Sequence, residues 1–212
     1  MKRLLRVVER TRLVKPLVFA LCLLPLASLI AGAAMDELGA NPAETLIRAN
    51  GDWALRFLYA CLALTPLRVA TGIAAFARYR RMLGLFAFTY AVLHLLCYAV
   101  FDQGLVVADI ARDIAKRPFI LVGFAAFLAL LPLAATSTTR ALRALGPRRW
   151  QALHRLVYPI ALLGLLHLFW MRSGKHHYED VWIYAAVLAL LLGWRLRRSL
   201  RRARLRAVAE AA

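Results

Sequence analysis

The sequence predicts an all-α, polytopic membrane bundle: six transmembrane helices in a single domain over residues 1–212, with both termini cytoplasmic. Three observations predict it. The 212 residues are 62% apolar, against roughly 45–50% in soluble domains. The apolar residues gather into six runs, most of them near the ~20 residues a helix needs to cross ~30 Å of hydrocarbon. The charges, 29 Lys+Arg against 11 Asp+Glu, fall between those runs and crowd onto alternate connections.

The first run, Leu17–Ala34, follows a basic arm (Lys2, Arg3, Arg6, Arg10, Arg12, Lys15). Ala31-Gly32-Ala33 resembles the cleavage site of a secretory signal. The run has 18 residues, more than a signal core of about 7–15, so it reads as a retained span. Asp36–Asp52 reads as a polar outer loop with Gly39, Asn41-Pro42 and Gly51 as turn residues. The second span, Trp53–Ala70, returns to a connection carrying Arg68, Arg78, Arg80 and Arg81, and the third is Met82–Phe101. An outer connection with Asp102, Asp109 and Asp113 leads to the fourth span, Pro118–Ala135, which Thr136-Ser137-Thr138 closes. Arg140, Arg143, Arg148 and Arg149 precede the fifth span, Trp150–Trp170. The sixth, Val181–Trp194, is short and is extended by Tyr178 and a snorkelling Arg195. Seven arginines from Arg195 to Arg206 follow; they read as anchors on the cytoplasmic side, facing anionic headgroups. In all, 21 Lys and Arg lie on one side, while nine of the eleven acids lie on the other. The positive-inside bias makes the first side cytoplasmic.

Several classes are excluded. A pI near 11.2 is one footprint of a nucleic-acid binder, but such proteins hold their charge on a soluble face, so no nucleic-acid partner is expected. Cys22, Cys61 and Cys97 are odd in number and sit in apolar runs, which excludes a disulfide framework. There is no CxxCH for covalent heme, and no Walker A, GxGxxG, HExxH or GxSxG motif.

The intramembrane histidines carry the functional signal, because ionisable groups in a bilayer are rare and mark sites. His94 lies in the third run, and His154 and His167 in the fifth. At 1.5 Å per residue, His94 (eight residues before Asp102) and His167 (five before Arg172) fall at nearly one depth in the outer half. Two neutral imidazoles at matched depth on different helices can bind one heme iron axially. Ala87, Ala91 and Gly164 leave room for a flat macrocycle, and Tyr98 and Phe101 can line its edge. The plainer alternative is a set of packing histidines bonded to backbone carbonyls. Zinc is disfavoured because no third ligand lies at that level. His154 lies near the inner surface and suits a second heme, but its partner is missing: Arg81, preceded by Arg80, stands where a ligand would be. Arg80 and Arg81 instead suit a propionate or a flavin phosphate, or simply anchor the chain. His176 and His177 read as solvated loop residues.

Certain stretches have a familiar order and spacing. They are Leu64-Thr65-Pro66-Leu67-Arg68, Arg80-Arg81-Met82-Leu83-Gly84 leading to Leu93-His94, Lys116-Arg117-Pro118-Phe119, and Leu145-Gly146 through Arg149-Trp150, Leu153-His154, Tyr158 and His167-Leu168-Phe169-Trp170. Over about residues 15–195 the sequence resembles the heme-binding membrane subunits of bacterial periplasmic protein-methionine-sulfoxide reductase systems, within the ferric reductase-like transmembrane superfamily. The resemblance implies a six-helix protein of the bacterial inner membrane that holds heme b. It implies electron transfer from membrane quinones to a periplasmic molybdopterin-containing reductase that repairs oxidised methionine. Flavin mononucleotide is a further cofactor implied by resemblance alone. His94, His154 and His167 match the family's intramembrane histidines. The wider superfamily carries four histidines and two hemes, and this sequence departs from it at Arg80 and Arg81. No soluble flavin domain is present, so a cytoplasmic flavin reductase donor would be a separate protein. The residues alone also leave open a stand-alone cytochrome b or ferric reductase, a proton-relaying transporter, and a structural anchor.

Overall fold

The computed structural model describes residues 14–173 and 178–211. The basic arm from Lys2 to Arg12 and the His176–His177 pair lie outside the described residues. The described chain is helical throughout, with no strand. The helices are α1 (Val14–Ala34), α2 (Pro42–Thr71), α3 (Phe76–Cys97), α4 (Val107–Lys116), α5 (Pro118–Ala135), α6 (Thr139–His154), α7 (Val157–Ser173) and α8 (Glu179–Ala211). Five stretches are long and apolar enough to cross a membrane: α1, α2, Phe76–Asp102, α5 and the run Thr139–Ser173. Helix α8 falls short of that measure, because each of its 18-residue stretches carries at least three charges.

Helix α2 packs chiefly on α3, and α5 on α7; contacts between α3 and α5 and between α2 and α7 join the two pairs. Helix α8 lies against α2 and α7, while α1 sits at the edge. Leu17, Phe19, Leu21, Leu24 and Ile30 of α1 are exposed, as a lipid-facing helix requires. The core is built from Leu58, Leu62, Phe86, Tyr90, Ile160 and Leu188, with aromatic contacts among Phe57, Phe86 and Tyr90.

Three sequence expectations are corrected here. Asp36–Asp52 is not a loop throughout. Pro42 takes the first turn of α2, where its missing N–H costs nothing, and the Asn41 side chain accepts from Glu44 N at 3.2 Å. The helix therefore starts early, and Gly51 lies inside it. The expected fifth span, Trp150–Trp170, is divided. His154 ends α6, and Arg155-Leu156 form a turn. Pro159 has no N–H to offer the Arg155 carbonyl, and Tyr158 N takes that acceptor at 3.0 Å. Helix α6 is itself bent at Gly146, whose φ of 74° suits glycine and precedes Pro147. Phe101 also points outward, 52% exposed.

Backbone groups freed by proline inside the bundle find partners, as hydrocarbon demands. Beside Pro25 the Tyr90 hydroxyl enters the α1 ladder, accepting from Leu26 N and donating to the Cys22 carbonyl, both at 3.0 Å. Pro66 deprives the Leu62 carbonyl of its helical donor, and Arg195 Nη2 donates to it at 2.6 Å.

After α3 a single π-turn, Tyr98–Asp102, tips Tyr98 inward. Its hydroxyl donates to Asp113 at 2.6 Å, Gln103 donates at 3.2 Å, and Arg117 binds the same carboxylate through Nε and Nη2. Arg117 holds the Asp113 carboxyl below the usual carboxylate range, helped by Tyr98 and opposed by partial burial.

Two outcomes are expected. Tyr90→Phe should destabilise the bundle by about 1–2 kcal/mol, read as a lower unfolding midpoint in detergent; an unchanged midpoint would contradict the bridging role. The Asp113 pairing stabilises the α4–α5 junction above the ordinary Asp pKa of about 3.9, and the stability is lost as pH falls through the lowered folded value. Hydrogen exchange across α4 should therefore accelerate only below about pH 4, whereas Asp113→Asn should exchange fast at neutral pH.

Candidate cofactor site

The α2–α3 and α5–α7 pairs enclose a cavity of about 410 Å³, within the range of small-molecule and cofactor pockets. His94 from α3 and His167 from α7 face each other across it. Their ring centroids are 6.0 Å apart and their planes cross at 78°.

Each ring is held by the same local device. His94 Nδ1 lies 2.8 Å from the Ile47 carbonyl oxygen, and His167 Nδ1 lies 2.6 Å from that of Phe119. A carbonyl accepts, so each Nδ1 carries the proton and donates. Each Nε2 is then left with its lone pair. A helical carbonyl at position i points toward residue i+4, and in both cases that residue is glycine. A Cβ on Gly51 would stand 3.0 Å from His94 Nδ1, and one on Gly123 would stand 2.7 Å from His167 Nδ1. The glycines leave the space that the rings occupy.

Two imidazoles oriented by carbonyls, with free Nε2 atoms, are what metal ligation asks of histidine. Two imidazoles that share one metal ion, each about 2 Å from it with about 1 Å more to the ring centre, would have centroids up to about 6 Å apart. The observed spacing matches. Among the described residues no cluster of three or more His, Cys, Asp or Glu could hold a metal ion, so the pair suits a cofactor that brings its other metal ligands with it. The walls suit a flat apolar ring: Ala87, Ala91, Ala126 and Gly164 keep them thin, and Leu55 and Phe124 make them greasy. The residues present therefore fit a heme that the two histidines would hold.

The other anticipated residues lie elsewhere. His154 Nε2 is 3.0 Å from Thr136 Oγ1, and its ring stacks on Trp150 at 3.8 Å. Thr136 Oγ1 donates to the Pro132 carbonyl at 2.6 Å, so it accepts from His154 Nε2. Trp150 Nε1 donates to the Thr136 carbonyl at 2.9 Å. This cluster caps the C-terminal end of α5. Arg80 and Arg81 are exposed at the start of α3 and do not line the cavity. Sequence reasoning missed Gly51, Gly123, Ile47 and Phe119. The recurring signal was present, a glycine four residues after each acceptor, but the acceptors are backbone atoms without a side-chain signature.

A family model, the ferric reductase like transmembrane component, matches residues 50–165. The chain belongs to this family. Its relatives include the protein-methionine-sulfoxide reductase heme-binding subunit MsrQ of Polaromonas naphthalenivorans, 65% identical over 86% of this chain and 83% of the relative. Those of Ralstonia nicotianae (52% identical, 87% of this chain, 85% of the relative) and Rhodospirillum rubrum (49%, 92% and 93%) bear the same name. No solved structure matches the chain. With its apolar helices and this family, the chain is a multi-pass protein of the bacterial inner membrane.

Overpacking at the glycines should displace the rings. Gly123→Ala should cost about 1–3 kcal/mol of site integrity, roughly tenfold or more in hemin affinity, and Gly51→Ala less. Hemin titration followed by Soret absorbance checks this, and an unchanged affinity in Gly123→Ala would contradict it.

Proposed function

We propose that the chain is the electron-carrying membrane subunit of a methionine-sulfoxide reductase system, in which His94 and His167 would hold heme b. The facing pair of Nδ1-anchored imidazoles is the observation that carries this reading, and the names of the relatives support it. Bound there, heme supplies a one-electron ferric–ferrous couple. The protein's own residues do the rest. Ile47 and Phe119 fix the tautomer and aim of each imidazole. Donation to those carbonyls raises the basicity of Nε2. The apolar walls keep water from the site, and the thin ones keep its faces clear.

In this reading the bundle crosses the membrane six times with both termini cytoplasmic. Val181–Trp194 spans only roughly 21 Å, and Arg195 turns its charge back into the bundle, donating to the Leu191 carbonyl of α8 and the Leu62 carbonyl of α2. The His94–His167 level then lies in the outer half, next to a periplasmic acceptor. Electrons enter from membrane quinones or a cytoplasmic flavin reductase and leave to a periplasmic molybdopterin-containing reductase. His154, Arg80 and Arg81 mark the inner level, where flavin mononucleotide or a second heme would be met. The wall residues do no bond chemistry on methionine, so the chain conducts rather than catalyses.

Purified wild-type protein should give a b-type reduced-minus-oxidised spectrum. His94→Ala and His167→Ala should each abolish it, and His154→Ala should retain the outer heme. Equal and complete loss in all three would overturn the ligand assignment. A colourless wild type expressed with ample heme would replace the reading with a proton-relaying transporter.

A further inference from the structure

The cavity has a polar end that the histidine pair does not explain. Along α2 its lining runs from Glu44 and Arg48 to Leu55 and Leu58; along α5 it runs from Arg117 to Phe127 and Leu130. Both arginines stand at the outer end, and every deeper residue of those two helices that lines the cavity, except Asp52, is apolar. Each arginine is also tied to one of the histidine anchors. Arg48 follows Ile47, whose carbonyl holds His94, and Arg117 lies two residues before Phe119, whose carbonyl holds His167.

We propose that Arg48 and Arg117 clamp the two propionates of the macrocycle, one from each helix pair, so that its carboxylate edge faces the periplasmic mouth. The proposal rests on the heme reading and adds the orientation of the ring and two residues to the site. Free donors remain for this. A guanidinium has five N–H groups. Arg48 uses Nη2 on Glu44 at 2.5 Å, and Arg117 uses Nε and Nη2 on Asp113. Those pairings hold the arginines at the rim in register with the cavity. The rim carboxylates do not cancel the clamp equally. Asp52 lies 3.9 Å from Arg172, a cation it shares with Asp180 at 3.4 Å. Asp102 lines the mouth as well. Two cations from opposite walls match a dianionic edge on an otherwise apolar ring, and the remainder of the cavity matches that ring.

The test separates this clamp from mere folding. Full-length detergent-purified protein is stripped of heme and reconstituted with heme b or with its dimethyl ester, which lacks both carboxylates. Uptake is read from the Soret band. Wild type should prefer heme by about tenfold per arginine contact, as hydrogen bonds to charged groups imply. Arg48→Gln and Arg117→Gln should each lose about a tenfold share of that preference, and the double variant should take up both porphyrins alike. Arg112→Gln, on the exposed side of α4 where Arg112 pairs with Asp109 at 2.8 Å and does not line the cavity, should keep the wild-type preference. A double variant that still discriminates as wild type does would overturn the clamp alone. Wild type that takes up neither porphyrin would overturn the heme reading along with it.

Discussion

Two hydrogen bonds organise this protein: an imidazole N–H from α3 to the Ile47 carbonyl of α2, and one from α7 to the Phe119 carbonyl of α5. Each lies within one of the two most extensive helix pairings. In hydrocarbon an unpaired imidazole N–H costs several kcal/mol, so each bond fixes the register of its pair and the tautomer of its ring together. The glycine four residues beyond each acceptor permits the approach. The bundle thus repeats one device on two sides of a cavity, and both rings line that cavity with Nε2 left unprotonated.

The same demand for internal satisfaction explains the less obvious side chains. Prolines in α1 and α2 remove donors or open the ladder, and Tyr90 and Arg195 answer them from other helices. At the C-terminal end of α5, Trp150 and His154 close on Thr136. His154 is therefore already employed as a donor, whatever else it contacts. Its hydrogen bond and its stacking place it in a capping cluster, whereas His94 and His167 line a cavity.

Much of this was legible in the sequence. Apolar runs and arginine placement gave the membrane bundle. The rise per residue gave His94 and His167 a common depth, and Ala87, Ala91 and Gly164 were readable as clearance. What misled was local. Asn41-Pro42 signals a helix start as readily as a turn, so α2 was begun too late and Gly51 was taken for a turn residue. Pro159 is tolerated inside a membrane helix or just after a break. The choice depended on Arg155-Leu156, which carry no turn signal of their own. The anchors Ile47 and Phe119 act through backbone oxygen, and no side-chain pattern reports that. Arg80 and Arg81 drew attention as an adjacent pair, while Arg48 and Arg117, far apart in sequence, meet the cavity.

The most direct test of the central claim is low-temperature electron paramagnetic resonance of the oxidised, detergent-purified wild-type protein, with iron coordination read from the signal. Two neutral imidazoles with planes crossed near 78° predict a low-spin ferric signal with strong anisotropy. A high-spin signal, which reports a single axial ligand, or no heme signal at all would contradict the account.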